Sequence, residues 1–341
     1  MSSKFWKDDK EIFIPWYSDE YTGPVYRNKN VTDYLSMSPQ DIKAELEKYV
    51  LNQEETCRQV AIMMYQHLHG HRFVGMLAGP TGSGKSYIAE SLKEVFPDVV
   101  NIRDVSNVTC DGWKGDKKVS TLFKGIHYPV SYNGLIFPLL FLDECDKMFS
   151  PRVSSSGENV SESVQSEFLT IIHGGEIEVK ENGIGGKEDV KTIDTTRFSF
   201  LFAGAFEKKA RLIAENESDA SIGFGASHNK LSSYNRDITM EDVIEAGCMP
   251  EFGGRIQRLI CLKKFEECAF LEILNAKDRG PIYEMEKEFN LLINISETKK
   301  EELAHTAYIK GMGIRGIKNE IRRYIDELTW EDCNSKELDI V

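Results

Sequence analysis

Hydrophobic positions in this chain follow two alternating patterns. "FVGMLAG" (73–79), "LLFLDE" (139–144) and "FSFLFAG" (198–204) are short apolar runs with no polar alternation. Runs of that kind predict strands buried on both faces. Between and around them lie stretches with helical spacing. "SPQDIKAELEKYV" (38–50) opens with Ser38 as a cap, Pro39 in the first turn and Asp41 at the positive helix end. "EETCRQVAIMMYQHLHGH" predicts a long amphipathic helix, and "KSYIAESLKEVF" a helix directly after the first strand. Unbroken apolar strands separated by helices predict an α/β fold: a central parallel sheet covered by helices.

From about Lys263 the pattern becomes helical, ending in "GIRGIKNEIRRYIDELTW", which predicts a smaller α-rich C-terminal domain. Residues 1–36 read differently. They are irregular and unusually aromatic, with Phe5, Trp6, Phe13, Trp16, Tyr17, Tyr21, Tyr26 and Tyr34. Disordered tails are poor in aromatics, so this segment is expected to pack as an arm on the body or on a partner. The expected division is an arm over 1–36, a large domain over 37–260 and a small domain over 261–341.

Composition narrows the class. No apolar run approaches the roughly 20 residues needed to span a bilayer. The N-terminus "MSSKFWKDDK" carries acids and lacks an apolar signal core, so a cytoplasmic protein with no membrane role is expected. The seven cysteines are scattered, with no pair at metal-ligand spacing, which suits a reducing compartment. A net charge of −13 without a long basic run argues against nucleic acid as a partner.

The chemistry concentrates in two places. "GPTGSGKS" (79–86) matches the phosphate loop G-x-x-x-x-G-K-[ST] in full, between a predicted strand and a predicted helix. Backbone N–H groups of Thr81, Gly82, Ser83, Gly84 and on to Tyr87 would cradle phosphate oxygens at the positive helix end, while Pro80, which has no N–H, shapes the entry to the loop. Lys85 would reach the β- and γ-phosphates of ATP, and Ser86 would ligate Mg²⁺. In "LLFLDEC", Asp143 ends a buried strand and can hold the Mg²⁺ shell, while Glu144 can polarise a water for attack. A water-activating base favours hydrolysis over transfer to a substrate, so an ATPase is expected and a kinase is the weaker choice.

With these residues the chain resembles the ClpX-type AAA+ unfoldases from about Ser38 to Trp330. "SPQDIKAELEKYVLNQEE" is similar to the family's segment in which backbone near Val50 and Leu51 receives adenine. "FLDECDKM" is similar to its Walker B stretch, "MPEFGGRI" to its arginine-finger box and "GIRGIKNEI" to its Gly-x-Arg-Gly helix start. The related HslU unfoldases carry a larger insertion after Walker B. The resemblance implies that Arg255 reaches the γ-phosphate in a neighbouring subunit and that Arg315 senses nucleotide. It further implies a hexameric ring acting on protein clients. Its pore loop would be Gly112, Trp113, Lys114 and Gly115, gripping polypeptide. Its docking loop would be Ile222, Gly223 and Phe224, seated in clefts of a ClpP-type peptidase.

Departures from the pattern matter as well. No cysteine precedes Cys57, so the family's zinc-binding adaptor domain is not expected here, and the arm stands in its place. The segment "KENGIGGKEDV" (180–190) lacks the family's basic cluster, because Glu188 and Asp189 follow Lys187. Asn52 replaces a glycine beside the adenine pocket. "FSFLFAG" offers no obvious polar residue for a first sensor. These departures suggest a divergent motor with altered clients. The alternative is a protease-independent remodeller that dismantles a specific complex; a nucleotide-switched scaffold or a motor on nucleic acid fits the acidic charge poorly.

Overall fold

The computed structural model describes residues 34–110, 117–126, 136–153, 157, 159–182, 188–206, 237–276, 280–311 and 313–341, and the two strands of the arm, with backbone alone at 3–7, 10–14, 181–182 and 188–189. The arm is not wholly irregular. Strands β1 (Ser3–Lys7) and β2 (Lys10–Ile14) pair as an antiparallel hairpin.

The centre is a parallel sheet of five strands. In chain order they are β3 (Val74–Ala78), β4 (Val100–Asp104), β5 (Leu139–Asp143), β8 (Ser199–Gly204) and β9 (Arg258–Cys261). Across the sheet they run β4-β5-β8-β3-β9. Alternate residues of the three inner strands face opposite sides, as the two-residue period of a strand requires. Met76, Leu140, Leu142, Phe200 and Phe202 join one core cluster. Leu77, Phe141 and Leu201 join the other. Both faces are therefore apolar, which is why these strands read as unbroken hydrophobic runs.

Helices α1 (Pro39–Glu47), α2 (Glu54–Leu68) and α3 (Lys85–Val95) contribute to the cluster containing Leu77. Ser38 and Asp41 form a reciprocal capping box at the start of α1, Ser38 N–H donating to Asp41 Oδ2 at 2.8 Å. The other face is covered by α4 (Cys145–Phe149), α5 (Val160–His173), α6 (Met240–Glu245) and α7 (Pro250–Gly253). There Phe202 stacks edge-on against Phe168 and Phe252. Burying each such ring is worth about 1.5–3 kcal/mol.

Strands β6 (Glu176–Asn182) and β7 (Glu188–Asp194) form a second antiparallel pair. Ile177, Val179 and Ile193 are buried against the sheet's core and anchor its base.

A third cluster gathers Phe265, Phe270, Ile273, Leu303, Ile317 and Ile321 with residues as far as Ile340. Its helices are α8 (Glu267–Asn275), α9 (Pro281–Phe289), α10 (Glu297–Lys310) and α11 (Gly313–Glu331). A short parallel pair, β10 (Leu292–Ile295) with β11 (Glu337–Ile340), completes it. Leu51 and Tyr87 pack against this cluster, so the two bodies meet beside the phosphate loop. No helix among the described residues is long and apolar enough to cross a membrane.

Candidate nucleotide site

β3 ends at Ala78, and the chain turns through the phosphate loop into α3, which begins at Lys85. Gly82 and Gly84 have φ of 80° and 99°, in the left-handed region where a side chain is disfavoured, and so permit the tight turn. Gly79 N–H donates to Gly204 O at 3.3 Å, fastening the loop to the end of β8. The Lys85 ammonium donates to the carbonyls of Gly79 at 2.6 Å and Pro80 at 2.9 Å. The Ser83 hydroxyl is buried with no hydrogen-bond partner among the described residues. A cation lying along the loop, an orphaned hydroxyl and the positive end of α3 form a cradle suited to a polyphosphate.

β5 delivers the carboxylates. Asp143 Oδ2 accepts from Ser86 Oγ at 3.3 Å, and Asp143 Oδ1 accepts from Glu144 N–H at 2.9 Å. Burial pushes the Asp143 carboxyl above its usual range, against the opposing pull of the Glu144 N–H and the Lys85 charge. A cation placed here would relieve that penalty. Among the described residues no group of three or more His, Cys, Asp or Glu side chains is placed to hold a metal. The donor set, one hydroxyl and one carboxylate, fits a Mg²⁺ that draws its other ligands from phosphate and water.

Glu144 stands at φ 62°, an uncommon left-handed position for a non-glycine residue, at the turn from β5 into α4. Such a position costs about 1–3 kcal/mol and persists only where its surroundings impose it. Glu144 Oε2 is 2.5 Å from Lys147 Nζ. Asp146 Oδ1 accepts from Ala205 N–H at 3.2 Å, beyond the end of β8.

These groups surround one cavity of about 280 Å³, lined among others by Thr81, Lys85, Ser86, Asp143, Glu144 and Arg315. Arg315 comes from α11 of the C-terminal cluster. A smaller apolar chamber, about 20 Å³, is lined by Val50, Leu51, Tyr87, Phe265, Ile273 and Ile314, among others. Gly84, Tyr87 and Ile314 line both spaces. The composite site is polar at one end and apolar at the other, the polarity that phosphates and a base require, but the apolar end has room for only about one water and must open to receive a base.

One neighbour escapes motif reading. Gln53 is buried; its Nε2 donates to Ser83 O at 3.1 Å and Lys263 O at 2.7 Å. It thereby ties the segment before α2, the phosphate loop and the start of the C-terminal portion together. Asn52 has φ 57°, so glycine suits this position sterically and asparagine is among the better substitutes. Its Nδ2 donates to Glu272 Oε2 at 3.0 Å, reaching α8.

The remaining candidate residues lie apart. Arg255 is exposed, just after α7, and does not line either chamber. Gly204 and Ala205 line the large cavity where a first sensor would stand, and neither has a polar side chain. Gly112, Trp113, Lys114 and Gly115, and Ile222, Gly223 and Phe224, lie outside the described residues. The stems of the former loop are described: Thr109 N–H donates to Lys117 O at 2.9 Å, and Val119 N–H donates to Thr109 O at 3.2 Å.

Comparison with known proteins places this geometry in context. The family model described as AAA domain (Cdc48 subfamily) matches residues 72–259. The ATP-dependent Clp protease ATP-binding subunit ClpX of Borrelia duttonii is 28% identical over 334 residues, covering 88% of this chain and 76% of that protein. The ClpX of Treponema denticola is 28% identical over 323 residues, covering 86% and 77% respectively. ClpX 3 of Methylococcus capsulatus is 26% identical over 325 residues, covering 84% and 74%.

Proposed function

The chain belongs to the AAA family of ATPases, and from that premise we propose that it is an ATP-driven protein unfoldase of the ClpX type, working as a hexameric ring. The observation that supports this most is the cavity shared between the phosphate loop and Arg315 of α11. A nucleotide held there touches both bodies, so its hydrolysis changes their fit. That is how bond cleavage becomes motion. The bodies themselves we take as 37–260 and 261–341.

In this reading the base enters the apolar chamber beside Val50 and Leu51, which widens from about 20 Å³ to admit it, and backbone N–H groups from Thr81 to Tyr87 hold the phosphates, with Pro80 shaping the loop entry. Lys85 leaves the loop carbonyls for the β- and γ-phosphate oxygens. Ser86 and Asp143 hold Mg²⁺, which supplies charge neutralisation on the phosphate oxygens. Glu144 accepts a proton from the attacking water and must part from Lys147 to do so. Arg315 stabilises charge from within the same chain. The exposed position of Arg255 suits a finger aimed at the nucleotide of the adjacent subunit, which makes hydrolysis depend on the ring. Trp113 grips the client, and Ile222 and Phe224 dock on a ClpP-type peptidase.

Sedimentation of Glu144→Gln with ATP, with and without ClpP, tests this reading. A nucleotide-dependent hexamer that carries ClpP, and releases it when Phe224→Ala is added, supports a protease-coupled unfoldase. A hexamer that ignores ClpP makes the protein a remodeller acting alone. A monomer at every ATP concentration refutes the ring.

A further inference from the structure

The junction between the sheet and the C-terminal cluster carries a polar bridge to which none of these roles is assigned. Tyr87, directly after Ser86, donates its hydroxyl to Glu284 Oε1 of α9 at 2.8 Å. The second oxygen of Glu284 forms an ion pair with Lys318 of α11. Lys318 Nζ also stands 5.3 Å from the centre of the Tyr87 ring, close enough for a cation–π attraction. Burial and the facing carboxylate raise the Tyr87 pKa, so the hydroxyl stays protonated and remains the donor.

Lys318 follows Arg315 by three positions, so the two share one side of α11. The start of that helix is held at a second point. A Cβ on Gly313 would lie 2.5 Å from the Cα of Gly82, so the first turn of α11 sits directly on the phosphate loop with no room for a side chain. Arg315 lies between these two attachments. Packing of Ile317 and Ile321 fixes α11 within the C-terminal cluster, and the bridge adds to the Gly313 contact a polar link from this part of α11 directly to α3.

We propose that Glu284, by joining Tyr87 to Lys318, is a positioning residue that aims Arg315 into the nucleotide cavity and makes the start of α3 move together with α11. The proposal rests on the sensing role given to Arg315. It predicts that the bridge matters to nucleotide only while Arg315 is present. A bridge serving stability alone would act equally with or without that guanidinium.

The test uses the full chain and steady-state ATPase kinetics in two backgrounds. Tyr87→Phe removes only the hydroxyl, and Glu284→Gln removes the ion pair. Each is expected to raise the KM for ATP about fivefold, the scale of a modest coupling between sites, with a smaller change in kcat. Neither should add to the effect of Arg315→Ala. Lys318→Met should match Glu284→Gln, and Lys318→Arg should recover the KM of the unmodified chain, showing that a folded protein is being read. Equal multiplication of KM by Tyr87→Phe in both backgrounds overturns the proposal, as does an unchanged KM in Glu284→Gln. If Arg315→Ala by itself changes neither KM nor kcat, the sensing role fails and the proposal falls with it.

Discussion

His67 offers a test of the core that is independent of nucleotide. It lies on α2, buried, with Nε2 at 2.7 Å from the carbonyl of Phe137 and Nδ1 at 2.8 Å from Ser199 Oγ. A carbonyl only accepts, so Nε2 carries the proton and Nδ1 accepts from the Ser199 hydroxyl. Ser199 Oγ accepts in turn from Phe73 N–H at 3.0 Å. Every partner suits a neutral ring. Burial pulls the pKa of His67 down to about 4, with the Phe137 hydrogen bond opposing it. In the unfolded chain the ring titrates near 6.5. The unfolded state therefore binds the extra proton first. Stability from this group is intact above about pH 6.5 and is lost as pH falls towards about 4. Between about pH 7.5 and pH 5.0 the loss works out at about 2 kcal/mol. Urea unfolding followed by helical circular dichroism, without nucleotide, would compare the unmodified chain with His67→Gln. The gap between their stabilities should shrink by about 2 kcal/mol over that range, whatever its starting value. Parallel stability curves would refute the assignment of a neutral, buried His67.

Three further outcomes follow from the site. Glu144→Gln should retain ATP binding while turnover falls by about 100-fold or more, measured by phosphate release; near-normal turnover would remove Glu144 from the chemistry. Lys85→Ala should abolish the rise in melting temperature that ATP gives the unmodified chain, since stabilisation by ligand requires binding. Gly313→Ala places a methyl against the Gly82 backbone at a left-handed φ of 60°, with 2.5 Å where contact needs far more. It should weaken ATP binding about tenfold by equilibrium titration, because α11 must lift from the phosphate loop.

The parts of the fold visible in the sequence were those whose burial is two-sided. β3 and β8 are buried at every position, so their apolar runs are unbroken. β4, "VNIRD", lies at one edge of the sheet and is mostly half-buried; β9, "RLIC", lies at the other and is half-buried at Arg258, Leu259 and Cys261. Neither edge shows a clean period. β10 and β11 are four-residue strands brought together from distant parts of the chain, a pairing no local window contains. The site divides in the same way. The phosphate loop and the Asp143–Glu144 pair are local motifs with a fixed chemical spacing. Phe265, Ile273, Glu284 and Lys318 reach the nucleotide region only through packing of the C-terminal cluster, and as isolated residues they carry no signature. Gln53 is legible only after the structure shows that one amide links the Ser83 and Lys263 backbones.

The order of the sheet also bears on how the protein is made. β3, which carries the phosphate loop, hydrogen-bonds to β8 on one side and β9 on the other. Both partners are synthesised long after it: Val74 pairs with Phe200, and Gly75 with Arg258. While the chain emerges from a ribosome, β3 therefore has two unsatisfied edges until Ser199–Gly204 appears, and one until Arg258–Cys261 follows. During that interval an apolar strand with free backbone donors is exposed to any neighbouring nascent chain, a hazard of late-closing parallel sheets. A pause in translation between about residues 204 and 258 would prolong the exposure. Synonymous codon choice in that stretch should therefore influence the yield of soluble protein without changing a single side chain.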